Sequence, residues 1–196
     1  MALNKSFAAL LMFITLALLP TGLYPETVST HPGGNVLYWK SGFLLIPADF
    51  RQTPLADSHF SAASHVGTGM EMAMQDDRLT ISVKAYFVPE RSWIKVHDED
   101  LLAHEQAHFD IEEYFARLAR KELSQIKRKG KSFDLIRTEA DVIFARVLDQ
   151  RSAFHEKFDK ETNHSQLTKE EERWEAEIKS MLESTRYLEN TEIQLY

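Results

Sequence analysis

The uneven distribution of proline and glycine is the feature that most constrains the fold of this 196-residue chain. All six prolines and six of the seven glycines lie at or before Pro89, which leaves Gly130 as the one glycine in residues 90–196. Both residue types interrupt regular helices, so long helices are expected only in the second half. The pattern predicts an irregular, strand-rich first half followed by helices.

One strand pattern dominates the first half. Apolar and polar side chains alternate over Leu79–Phe87, the period of two that a half-buried strand requires. Methionine repeats at alternate positions in residues 70–74, and residues 75–78 have the composition of a turn. We therefore expect a β-hairpin here, and a further strand within Leu37–Ile46.

The second half shows the spacing of apolar residues that is typical of amphipathic helices. Asp98 and Ser132 or Asp134 are N-cap candidates, and Thr168 with Glu171 forms a potential capping box. Three helices are predicted: Asp98 to Gly130, Ser132 or Asp134 to about residue 158, and Thr168 onward, with a polar loop at 159–167. The expected fold class is α+β, with a small antiparallel sheet packed on a C-terminal bundle of about three helices.

Composition excludes several classes of function. There are 23 basic and 30 acidic side chains, which give a formal net charge of −7, and no concentrated basic run is present. Nucleic-acid binding is therefore not expected. The chain has no cysteine, so disulfides and cysteine-ligated metal sites are excluded. Any metal must be bound by His, Asp or Glu.

The amino terminus has the form of an export signal. A positive charge at Lys5 precedes Ser6–Leu19, an uncharged stretch of 14 residues rich in Leu, Ala and Phe. As a helix it would reach about 21 Å, short of the ~30 Å hydrocarbon core of a membrane. We expect residues 1–24 to be a signal peptide, with an uncleaved membrane anchor as the alternative. Residues 25–196 would then be a single domain that is secreted or periplasmic.

The motif that carries chemistry is HExxH, formed by His104, Glu105 and His108 in the first predicted helix. Residues four apart lie on one face of a helix, so both imidazoles can bind one Zn²⁺ ion. Glu105 lies about 100° round the helix from His104, where it can act as a general base. Glu112 shares the histidine face two turns on and is expected to orient a ligand rather than to bind metal.

Catalytic zinc needs a third protein ligand, because two histidines alone do not hold it. A glutamate from the following helix would give a thermolysin-like site, and Glu139 is the candidate there. The other candidate is His164 in the polar loop, with Asp159 and Glu161 beside it. Spacing alone leaves these alternatives open.

Three segments resemble the bacterial domain-of-unknown-function family 922, whose members are labelled predicted secreted zinc-dependent proteases. They are AYFVPERSWIK, LLAHEQAHFDIEEYFARLARKEL and FDKETNHSQLTKEEERWEAEI, and the resemblance extends weakly to LLIPADF. It implies His104 and His108 as zinc ligands, Glu105 as the base and His164 as the third ligand. Two positions depart from the family pattern: Phe158 stands where relatives have tyrosine, and Ser165 where they have glycine.

The sequence thus predicts an exported zinc metallopeptidase with a zincin-like active-site helix. It would hydrolyse peptide bonds in a peptide or protein by means of a zinc-activated water, with Glu105 as general base. Two alternatives stay open. One is a non-catalytic envelope protein with a structural metal or none, and the other is a zinc amidase that acts on cell-wall peptides.

Overall fold

The computed structural model describes residues 26–29, 35–54, 57–76, 78–96 and 98–195. The predicted signal peptide or anchor, residues 1–24, lies outside the described residues. Within the described part of the chain, no helix combines the length and the apolar character needed to cross a membrane.

These residues form strands in the first half and helices in the second, which confirms the predicted α+β class. The strands are β1 (Glu26–Ser29), β2 (Leu37–Tyr38), β3 (Ala62–Ala63), β4 (Val66–Gln75), β5 (Arg78–Phe87), β6 (Trp93–Ile94) and β7 (Glu192–Leu195). The helices are α1 (Glu99–Leu123), α2 (Phe133–Thr162) and α3 (Thr168–Ser184).

The predicted hairpin is confirmed as the centre of the main sheet. Strands β4 and β5 pair antiparallel from Val66↔Phe87 to Gln75↔Arg78, and Asp76 in the turn has a φ of 54°. Strand β1 pairs with the outer edge of β4, while β2 and β7 pair with the two ends of the outer edge of β5. Strands β3 and β6 form a separate two-stranded sheet.

The predicted strand at Leu37–Ile46 is mostly wrong, because only Leu37–Tyr38 pairs. The chain turns directly afterwards: Phe43 N donates to Lys40 O at 3.0 Å, and Gly42 has a φ of 76° that favours glycine. The short strand β7 was not predicted.

Helix α1 is the central element of the fold, since it contacts β5, α2 and α3. Its Phe109, Ala116 and Leu123 are buried in one apolar core with Ile81 and Val83 of β5. Asp98 caps α1 as predicted, with its carboxylate accepting a hydrogen bond from Leu101 N at 3.0 Å.

The remaining helix boundaries differ in ways that matter for the site. Helix α1 ends at Leu123 rather than at Gly130, and α2 begins after its predicted cap Ser132. Helix α2 then continues to Thr162, so the first four residues of the predicted loop 159–167 are helical. Asp159 is therefore held on a helix rather than in a loop.

The predicted capping box at the start of α3 does not form. Thr168 is the first helical residue, and the capping position before it is Leu167. The apolar side chain of Leu167 cannot accept a hydrogen bond from the first turn of the helix. Glu171 instead places Oε1 2.8 Å from Nδ1 of His104. Glu171 thus contacts helix α1 instead of the backbone at the start of its own helix.

A buried ion cluster on α1 ties the C-terminal segment to the sheet. Glu113, Arg117 and Arg120 are each 2% exposed. Arg120 donates through Nη1 and Nη2 to the carboxylate of Glu113, at 2.9 and 3.1 Å. It also donates to Val83 O and Leu188 O, both at 2.9 Å, so one side chain links β5, α1 and the turn after α3.

We predict that Arg120→Leu destabilises the protein by about 3 kcal/mol or more, because it removes two of the three hydrogen bonds to the buried carboxylate of Glu113 and the donor to two carbonyls. Urea-induced unfolding measures the change in free energy. Arg186→Leu is the matched control: Arg186 is exposed and lies 4.0 Å from Glu183, so a change below ~0.5 kcal/mol is expected. Equal effects of the two substitutions would contradict this role of the cluster.

Candidate metal centre

Three side chains converge where α1 faces the last turn of α2. Nε2 of His104 lies 3.3 Å from Oδ1 of Asp159, and Nε2 of His108 lies 3.0 Å from the same oxygen. One atom from each of the three residues lies within 4.8 Å of the others. The histidines are four positions apart, which brings both imidazoles to the face of α1 that meets α2.

The donor set fits a zinc ion. Ligand atoms about 2.0–2.1 Å from zinc at tetrahedral angles lie roughly 3.3 Å from one another, close to the 3.3 and 3.0 Å that separate Asp159 Oδ1 from the two imidazole nitrogens. Oδ1 of Asp159 is also buried and has no hydrogen-bond partner among the described residues. The two nearby nitrogens approach it without hydrogen-bond geometry. A buried oxygen in this state requires an explanation, and a shared cation provides one.

The electrostatics of the site favour a positive charge. Burial alone lowers the pKa of His104, but Asp159 and Glu171 outweigh burial and raise the pKa to about 9. Burial alone raises the pKa of Asp159, but the adjacent imidazoles hold the pKa well below its usual range. Both pKa shifts thus show that the space between these groups favours positive charge, which is where a cation would bind.

His104 is fixed by two neighbours. Oε1 of Glu171 lies 2.8 Å from Nδ1, and the ring of Phe158 stacks on the imidazole with centroids 4.6 Å apart. A carboxylate on Nδ1 leaves Nε2 free to bind a metal, the arrangement common to zinc-bound histidines. Phe158 also packs edge-on against His108, so the residue that departs from the family pattern holds both rings.

His108 is fixed by a chain of groups that sequence reasoning missed. Its Nδ1 lies 2.8 Å from Nδ1 of His155, and Nε2 of His155 lies 3.0 Å from Oε1 of Glu112. The side chain of His155 is only 17% exposed. Its spacing of four residues from Asp159 on α2 was the available signal. The expected orienting role of Glu112 agrees with this contact.

Glu105 lies beside the three converging side chains and is 5% exposed. Its Oε2 accepts a hydrogen bond from the backbone N–H of Ser64 at 3.0 Å. The segment after β3 thus fixes the carboxylate in the wall of the cavity that contains the metal centre. A cavity wall is where a general base must lie to reach substrate.

The cavity has a volume of about 720 Å³ and is bounded by the segment around β3, α1, α2 and the loop after α2. His104, Glu105, His108 and Asp159 all line it. Among its described lining residues Arg151 is the one arginine or lysine, and it lies 3.3 Å from Glu112. The volume falls within the range of about 300–1,000 Å³ typical of ligand pockets.

The other candidate ligands lie differently. Nδ1 of His164 is 3.8 Å from Oδ1 of Asp159, and its half-exposed ring packs edge-on against Phe60 at the cavity. The carboxylate of Glu161 accepts from Trp174 Nε1 at 3.1 Å and also pairs with Arg173. Glu139 pairs with Lys131 and lies 20 residues before Asp159 on α2, about 30 Å along its axis.

The loop after α2 has an unusual backbone. Asn163, His164 and Ser165 have φ values of 50°, 53° and 68°, so three consecutive residues adopt the left-handed conformation. Glycine adopts this conformation without the steric cost that a Cβ atom brings. Ser165 therefore adopts a conformation that glycine would adopt at a lower steric cost.

Comparison with known proteins identifies the family. A family model described as "Bacterial protein of unknown function (DUF922)" matches residues 64–165, just over half of the chain. The match runs from Ser64, which bonds Glu105, to Ser165. It includes the three converging side chains but not Glu171, which contacts His104. No curated protein and no solved structure matches the chain. The resemblance inferred from the motifs is confirmed: the chain belongs to the bacterial family of unknown function DUF922.

Proposed function

We propose that this protein is an exported zinc-dependent metallopeptidase whose Zn²⁺ ion is bound by His104, His108 and Asp159. One observation carries the proposal: Oδ1 of Asp159 is buried, lacks a hydrogen bond among the described residues, and faces Nε2 of both histidines at 3.0 and 3.3 Å. Three protein ligands beside an open cavity form a catalytic rather than a structural zinc site.

Asp159 is proposed as the third ligand in preference to His164. Its Oδ1 lies between the two imidazoles, whereas the side chain of His164 is 48% exposed and lies outside the group of mutually close donor atoms. His164 is assigned to the rim of the cavity, where it can contact a bound substrate.

Held by His104, His108 and Asp159, a Zn²⁺ ion would act as a Lewis acid, able to polarise a carbonyl group and to lower the pKa of water toward about 7. Glu105 accepts a proton from the water that attacks the carbonyl carbon and delivers it to the leaving amine nitrogen. The N–H of Ser64 holds one carboxylate oxygen of Glu105 and keeps the base aimed at the cavity. Phe158 has no hydroxyl and positions the ligand rings instead.

The proposed substrate is a peptide or protein, and the proposed location is the periplasm or the exterior of the cell. The mixed walls of the cavity suit a polypeptide, with apolar Phe60, Val66 and Leu101 beside the charged groups. The proposed location rests on the export signal in residues 1–24 of the sequence.

We predict that wild-type protein purified without chelator contains about one zinc per chain, and that Asp159→Ala contains far less because one of three protein ligands is lost. His164→Ala should keep its zinc. Asp149→Ala is the matched control, since Asp149 is an exposed carboxylate on the same helix. Elemental analysis gives the metal content of each variant.

Two outcomes would contradict this assignment. Retention of zinc by Asp159→Ala together with its loss from His164→Ala would make His164 the third ligand. A wild-type protein that binds no zinc would remove the proposed function altogether.

We predict that Glu105→Gln keeps one zinc per chain but cleaves peptides at least about 10²-fold more slowly, because an amide cannot accept the proton. Mass spectrometry of a peptide mixture incubated with each variant measures cleavage. Glu156→Gln, an exposed position on α2, is the control and should match wild type. Cleavage by Glu105→Gln at the wild-type rate would exclude Glu105 as the base.

A further inference from the structure

The polar chain that ends at His108 begins at a buried carboxylate. Glu112 is 2% exposed, and its Oε2 accepts a hydrogen bond from Oγ1 of Thr68 at 2.7 Å. Nη1 of Arg151 lies 3.3 Å from the same oxygen, and arginine stays charged in proteins. Burial alone would raise the pKa of Glu112, but His155 and Arg151 outweigh burial and lower it. Glu112 is therefore ionised, and an ionised carboxylate only accepts hydrogen bonds.

This charge fixes the tautomer of His155. Nε2 of His155 lies 3.0 Å from Oε1 of Glu112, so Nε2 must carry a hydrogen in order to donate to that oxygen. A neutral imidazole has one ring hydrogen, which leaves Nδ1 of His155 with a lone pair. That nitrogen lies 2.8 Å from Nδ1 of His108 and can only accept from it.

We propose that His155 is a positioning residue that transmits the charge of Glu112 to His108 and directs the lone pair of His108 Nε2 toward the metal. In this series of hydrogen bonds, Nδ1–H of His108 donates to Nδ1 of His155, and Nε2–H of His155 donates to Glu112. The opposite tautomers would put a hydrogen on Nε2 of His108, where it would block coordination. The inference rests on the proposed function only in assigning His108 as a ligand.

The two histidines of the motif are thus supported differently. Glu171, a carboxylate from α3, contacts Nδ1 of His104 directly, whereas a neutral imidazole from α2 separates His108 from Glu112. Supporting groups of this kind contribute about 10- to 100-fold to metal affinity. Of these two supporting groups, Glu171 can accept a hydrogen bond through either oxygen. His155 can support His108 in only one of its two neutral tautomers.

The first test determines the tautomer directly. Nitrogen NMR of ¹⁵N-histidine-labelled protein, with and without Zn²⁺, reports which imidazole nitrogens carry hydrogen. We expect His155 to be protonated at Nε2 alone in both samples. The signals of His155 are assigned as those that disappear from the spectrum of His155→Phe. Protonation of His155 at Nδ1 in either sample would overturn the proposal.

The second test compares two substitutions by zinc affinity, measured in competition with a chromogenic chelator. His155→Phe keeps a ring but removes both nitrogens, and a loss of about 10- to 100-fold is expected. His155→Asn places an amide oxygen near the position of Nδ1, where it can accept from His108, so a loss below ~10-fold is expected. A loss in His155→Asn that equals or exceeds the loss in His155→Phe would overturn the proposal, because Phe preserves the packing of the ring and Asn preserves the acceptor.

Thermal unfolding of the metal-free proteins separates these outcomes from misfolding. The midpoints of the two variants should agree with each other, because both substitutions remove the Nε2–H that donates to Glu112. Failure of the proposed function remains distinguishable, since the nitrogen spectrum of the metal-free protein tests the chain even if no zinc binds. If the Phe variant does not fold, the comparison of Asn with wild type and the wild-type spectrum still decide the proposal.

Discussion

The molecule is organised around one arrangement of charge, a buried aspartate oxygen between two imidazoles. Asp159 on α2 and the two histidines of α1 can meet only because α1 lies between the sheet and the other two helices. Removing a carboxylate from water is costly unless opposite charge compensates it. The packing of α1 against α2 therefore holds the Asp159 carboxylate beside two imidazoles, an arrangement that a cation would stabilise. This need for positive charge links the fold to the proposed chemistry.

Helix α1 buries polar groups along most of its length, which is unusual for a central helix. Glu105 and Glu112 lie near the histidines, and Glu113 and Arg120 lie on the side that meets the sheet and the C-terminal segment. Glu105, Glu112 and Arg120 have partners from other elements, and Glu113 accepts hydrogen bonds from Arg120 of the same helix. The helix is thus specified by directional contacts as well as by apolar area, and the directional contacts fix the rotation that presents the histidines to α2.

Local features of the fold could be predicted from the sequence, whereas contacts between distant parts of the chain could not. Alternation predicted the β4–β5 hairpin, and the caps at Asp98 and Ser132 predicted two helix starts, because those signals are local. The end of α2 was missed because polar residues after 158 resemble a loop, although Asp159 continues the helix. Within the site, spacing identified the motif, but the partners His155 and Glu171 depend on contacts across 47 and 67 residues.

The side chains around the proposed metal centre come from four different elements of the fold. Thr68, Glu112, Asp159 and Glu171 come from β4, α1, α2 and α3, so an unfolded chain offers an ion only the isolated histidine pair. If the centre binds zinc as proposed, high-affinity binding requires all four elements to have docked, so the ion would bind late in folding and stabilise only folded molecules. For a chain that crosses a membrane before it folds, such ordering would confine loading to the compartment where folding ends.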